Sequence, residues 1–258
     1  MTNQLSSNST LNAEQSMRRD AAELLYKNGF AGIIISGIAS TALVFGFDTT
    51  DFASFQYIWL TSMLIVLTFR LLDTFHWHKY MLGKEFNGTH ATHRFITGTL
   101  ITALLWCIYI VFMCTKVEII ELACMIIVVA AMAGGSATVL AAHRTTAILY
   151  VFTLLVPFSV VMLVMSTKDF QDILAVLGLS FSFVMIIVSK KAADFTTQAI
   201  FLKHENVSLL HHMEDQVAAR TQEIYELSNI DPLTGLFNRS AFLKEAKLQL
   251  EQAESKHE

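Results

Sequence analysis

Four histidines stand close together in one polar stretch of the chain. "HWH" holds His76 and His78, and "HATH" holds His90 and His93. Imidazole nitrogens bind zinc and haem iron, and histidines three apart on a helix share a face, so this set has the chemistry of a metal site. The same residues fit a membrane-interface loop, where His, Trp and Tyr gather. The interfacial reading is adopted, and no metal is assigned. Glu121 sits near one end of the apolar run "IIELACMIIVVAAMAGG". An ionisable group in such a run binds a ligand or proton unless it reaches water at the interface. His76, His78, His90, His93 and Glu121 are therefore the sensing candidates. Cys107, Cys114 and Cys124 lie in or beside apolar runs and form no C-x-x-C pair, which predicts buried thiols.

Those groups must be positioned by apolar segments. The chain has 258 residues, of which 53% are hydrophobic and 16% charged. Soluble domains average about 25% charged, so much of this chain is expected to face lipid. Crossing a bilayer takes about 20 apolar helical residues. Six segments meet that need: 30–47, 56–72, 95–113, 119–141, 147–165 and 170–189. The polar N-terminal stretch lacks the early apolar core of a signal peptide, so the first run is expected to remain as a span.

Positive charges alternate between the connections. Arg18, Arg19, Lys27, Arg70, Lys79, Lys84, Arg94, Arg144, Lys190 and Lys191 fall on one side, and only Lys116 and Lys168 on the other. That bias predicts both termini in the cytoplasm. The opposite loops are short and include Asp48, Asp51, Glu118, Asp169 and Asp172. The lipid bilayer is the expected partner. A net charge of −4 offers no argument for nucleic acid. Within the spans, "AMAGGSAT" at 131–138 predicts close helix packing, Pro157 a kink, and Arg70 a side chain that snorkels to the cytoplasmic face.

Beyond residue 190 the composition turns polar. Residues 192–229 contain neither Gly nor Pro and predict one continuous helix. Met213, Val217, Ile224 and Leu227 fit the a and d positions of a heptad, although Arg220 takes a d position and Lys203 and Asn206 would fall on the seam upstream. A short parallel coiled coil joining a homodimer is the expectation. A single amphipathic helix packed on its own bundle or on a following domain is the alternative.

The helix ends at "DPLTGLFNRSAF", residues 231–242. Pro232 turns Asp231 away from helix, Gly235 tolerates a positive φ, and Asp231 and Arg239 have opposite charges that can pair. A new helix should follow. The stretch resembles the N-terminal lead-in of GGDEF domains, the catalytic domains of bacterial diguanylate cyclases, which begin D-x-L-T-x-L-x-N-R. Asp231, Leu233, Thr234, Leu236, Asn238 and Arg239 match every defined position.

The resemblance implies a structural, coupling role for these six residues and a cyclase that condenses two GTP into cyclic di-GMP with Mg²⁺. It implies a bacterial cytoplasmic membrane location, and a chain truncated shortly after the GGDEF domain begins. The metal-binding Asp strand, the guanine-binding stretch and the GG[DE]EF hairpin do not occur here; the one Gly-Gly pair, Gly134–Gly135, lies in the fourth span. No catalytic or cofactor residue is therefore assigned, GTP and Mg²⁺ belong to the absent catalytic part, and residues 1–258 alone are expected to be inactive. The expected fold is all-α: a cytoplasmic segment 1–29, a six-helix transmembrane sensor bundle 30–189, a helical linker 190–229, and at 230–258 the first turn and helix of an α/β GGDEF domain. A six-span transporter or channel, or a dimerisation scaffold without sensing, are the rival functions.

Overall fold

The computed structural model describes residues 2–47, 52–81, 86–165 and 169–254. Asp48, Asp51, Lys84 and Lys168 lie outside them. The chain is 90% helical, with no strand among the described residues. The helices are α1 (Thr2–Gly46), α2 (Ala53–Tyr80), α3 (Gly88–Met113), α4 (Ile119–Val139), α5 (Arg144–Val164), α6 (Asp169–Asn229) and α7 (Arg239–Glu254). The first six are long and apolar enough to cross a membrane, which makes this a multi-pass membrane protein. Their outer faces carry exposed Ile38, Phe69, Ile127, Val164 and Phe183, as lipid contact requires.

The chain divides into two compact units, residues 1–202 and 203–258. The first therefore reaches past the change in composition at residue 190, and Ser189 and Ala193 are still buried. In it α1 packs on α2, α3 and α4, and α3 packs on α5 as well. Gly88 lets α3 approach the α1 backbone at Arg18 and Arg19, and Gly178 of α6 meets the Ser159 side chain of α5. Trp59, Trp106 and Tyr109 form an aromatic core, with Trp59 stacked on Tyr109 at 4.0 Å. Their indole N–H groups are satisfied: Trp59 donates to the Leu105 carbonyl at 2.7 Å and Trp106 to the Ser36 hydroxyl at 2.8 Å. Pro157 lies inside α5, which remains one helix.

Three details differ from the sequence expectations. The histidine-bearing ends, residues 73–80 and 88–94, are helix rather than interfacial loop: α2 continues to Tyr80 and α3 begins at Gly88, because no breaker interrupts either polar end. The small-residue patch 131–138 packs through Ala133, Ser136 and Ala137, which are buried, but not through Gly134 and Gly135, which are exposed with no described atom near where a Cβ would stand. Arg70 does not snorkel outward; it bonds across to α3.

In the second unit, α6 continues to Asn229, a turn follows, and α7 begins at Arg239. Ile230 and Phe237 form an isolated antiparallel bridge that closes the turn.

Candidate functional site

Arg70 is the most unusual side chain of the bundle. It lies ten residues before the end of α2, in an apolar stretch. Its guanidinium donates to Thr102 Oγ1 at 3.0 Å and to Thr99 Oγ1 at 2.9 Å. Both hydroxyls donate onward, to the Gly98 and Phe95 carbonyls at 2.9 Å. Gly98 gives the arginine stem its room, and the guanidinium carbon lies 5.8 Å from the Phe95 ring centroid. Phe95, Gly98, Thr99 and Thr102 stand at i, i+3, i+4 and i+7, one face of α3. The sequence carries that pattern in "FITGTLIT", together with an arginine inside an apolar run, and this pairing is the signal that Arg70 is held within the bundle.

No carboxylate among the described residues pairs with Arg70. Asp73, one turn further on, is engaged: Tyr26 donates to it at 2.7 Å and Arg94 forms an ion pair with it. Tyr26 also stacks on Trp77 at 4.9 Å, so this polar knot joins α1, α2 and α3.

Arg70 borders two cavities. One, of about 170 Å³, is walled by α1 to α5, with Ser36, Thr99, Thr102, Ser136 and Tyr150 as its buried polar lining. The other, of about 510 Å³, is lined by Asp73, Arg94, His90 and His93 among others. The structure thus brings His90 and His93 to one cavity but leaves His76 and His78 elsewhere. His78 bonds the Thr74 carbonyl of its own helix at 3.0 Å, and His76 lies against Tyr80. Among the described residues no three His, Cys, Asp or Glu converge as metal ligands. Cys107, Cys114 and Cys124 are free thiols, but only Cys114 is buried as expected; Cys107 and Cys124 are half-buried, since they lie toward the outer faces of α3 and α4. Glu121 lies in the first turn of α4, where the helix dipole favours a negative charge.

A histidine not singled out by its sequence has a role between α4 and α5. His143 caps α5, its Nδ1 accepting from the Thr146 amide at 3.3 Å and meeting the Thr146 hydroxyl at 2.7 Å. Burial pushes its pKa below the ordinary range, and the nearby His93 charge lowers it further.

The turn after α6 is built by the motif residues. Asp231 Oδ1 accepts from the Leu233 amide at 3.0 Å, the Thr234 amide at 3.0 Å and the Thr234 hydroxyl at 3.1 Å. The two Thr234 bonds and then the Leu233 bond hold this carboxyl below the usual range. Asp231 is therefore taken up by its own turn, and the expected pair with Arg239 does not form. Gly235 adopts φ 69°, and its amide donates to the Asp231 carbonyl at 2.9 Å. Asn238 works in both directions: its amide side chain donates to the Ser228 carbonyl at 2.7 Å and its Oδ1 caps α7 through the Ala241 amide at 3.0 Å. Leu233 and Leu236 point outward, 93% and 70% exposed.

The seam residues Met213, Val217, Ile224 and Leu227 are all exposed on α6, between 59% and 79%. Leu210, at the preceding a position, is exposed too and belongs with them. Comparison with models of known families, with curated proteins and with solved structures returns no match.

Proposed function

We propose that this chain is the membrane sensor and signal-transmitting part of a diguanylate cyclase, lying in a bacterial cytoplasmic membrane with both termini in the cytoplasm. One observation carries the reading. The helix that leaves the last apolar span, α6, ends in a turn where Asp231, Thr234 and Asn238 of the six-position motif each have a defined structural job. A turn clamped on one side to α6 and on the other to α7 transmits a rotation or shift rather than absorbing it. The outward Leu233 and Leu236 suit burial by further parts of a GGDEF domain. The exposed seam from Leu210 to Leu227 suits pairing with a second copy, and cyclase chemistry needs two domains face to face. Two close-lying packings of the bundle would suffice as the switch.

The described residues do not fit GTP or Mg²⁺: no acidic cluster converges on a metal and no glycine hairpin is present to cradle phosphates. Both are assigned to a catalytic domain beginning at Asp231, in which metal and positioning would carry the phosphoryl transfer. The test is to read the coding sequence past residue 258 and assay its complete product in nanodiscs with GTP and Mg²⁺. A GG[DE]EF hairpin and cyclic di-GMP formation are expected. A coding sequence without that hairpin, or a product that makes no cyclic di-GMP, overturns the proposal; solute flux in proteoliposomes would then favour a transporter.

A further inference from the structure

We propose that the cavity beside Arg70 binds the carboxylate head of a single-chain lipid acid that enters sideways from the bilayer. This goes beyond the cyclase reading and does not depend on it.

The argument begins with charge. Arg70 is fixed by two neutral hydroxyls, and no described carboxylate neutralises it. A cation inside an apolar span is costly unless an anion meets it. The planar guanidinium has five N–H donors, and the two threonine bonds leave others for a carboxylate, whose geometry matches its fork. A further donor is at hand. Tyr150 is buried, lines the same cavity, and its hydroxyl makes no hydrogen bond to any described residue. Both threonine hydroxyls are engaged with their own helix as well, so the guanidinium and the Tyr150 hydroxyl together offer donors that match a negatively charged acceptor.

The walls select the rest of the molecule. Gly32 of α1 and Gly135 of α4 border the cavity, are exposed, and have nothing within 4 Å of where a Cβ would stand. Ala31 and Ala131, also exposed, flank them. The opening therefore lies on a side of the bundle that faces lipid. Tyr150 is six residues into α5, roughly 9 Å from Arg144 along the helix axis. A double-chained lipid keeps its phosphate at the surface, whereas a fatty acid can carry its neutral carboxyl that far and pair with Arg70 as its proton passes to bulk water at the membrane surface. A volume of about 170 Å³ admits a head group and its first methylenes and leaves the tail among the lipids.

The test uses the full chain in nanodiscs with radiolabelled palmitate as probe. Saturable binding near one per chain is expected, with methyl palmitate and a double-chained phosphatidic acid failing to compete. Arg70→Gln should weaken binding roughly 10- to 100-fold, the range for a lost charged hydrogen bond. Because that variant can also misfold, Gly135→Leu is decisive: it fills open space, should leave the thermal midpoint unchanged, and should abolish palmitate binding. Equal competition by the methyl ester or by phosphatidic acid, non-saturable uptake, or full binding by a stably folded Gly135→Leu protein would overturn the proposal.

Discussion

Gly98 is the floor on which Arg70 lies: a Cβ at that glycine would come within 2.9 Å of the arginine Cγ. The α2 and α3 helices can share a charged contact in an apolar layer because this position has no side chain. Gly98→Val should therefore displace Arg70 from Thr99 and Thr102. Overpacking of this kind costs about 1–3 kcal/mol, so a lower thermal midpoint in detergent is expected. Gly134→Ala, with open space at its Cβ, should leave the midpoint unchanged.

The turn at Asp231 should respond to acid. Its carboxyl is held below the usual range by Thr234 and Leu233, so the folded turn favours the ionised form. That contribution is complete above the unfolded value of about 3.9 and is lost as pH falls through the lower folded value. Amide exchange at Leu233 and Thr234, followed from pH 6 downward, should accelerate only below that range. Asp231→Asn should remove the dependence.

Asn238→Ala should loosen both neighbours at once, since it removes the α7 cap and the bond to the Ser228 carbonyl. Losing a cap costs about 1 kcal/mol. Faster proteolysis at the start of α7 is the expected outcome, and Asn238→Asp, which keeps the cap but not the donor, should recover part of the protection.

His143 caps α5 through an unprotonated Nδ1, and burial followed by the His93 charge holds its pKa low. The unfolded chain binds a proton more readily, so the cap's contribution is full above about pH 6.5 and falls as pH drops through the folded value. Removing His93 should raise that value. Proton NMR titration of the His143 ring in wild type and His93→Ala measures the shift directly.

The proposed homodimer predicts a pattern along α6. Cysteine at Val217 should crosslink two copies, and cysteine at Gln222, on the opposite side of the heptad, should not. Equal crosslinking at both positions would leave α6 a single solvated helix.

Much of this architecture was readable along the chain. Each of the six spans is a continuous apolar run, and such a run satisfies its backbone only as a helix when it leaves water. The ends were harder. His76, Trp77 and His78 read as a loop by polarity, yet no proline or glycine stops α2 before Tyr80. Leu210 continues the a positions of the seam, and the register breaks only above it, where Lys203 and Asn206 would fall on the seam.

Local chemistry makes the lead-in turn legible as well: Pro232 and Gly235 act on residues within a few positions of themselves. The sequence by itself thus determined the six apolar helices and that turn, both products of short-range backbone demands, whereas the His143 cap emerged only with the structure. Only tertiary structure decided what Arg70 and Asp231 touch. Arg70 lies 29 and 32 residues from the threonines that hold it, and it meets them only because Gly98 opens the α3 surface. Charge alone offers Asp231 to Arg239, and the geometry of the closed turn gives it to Thr234 and Leu233 instead.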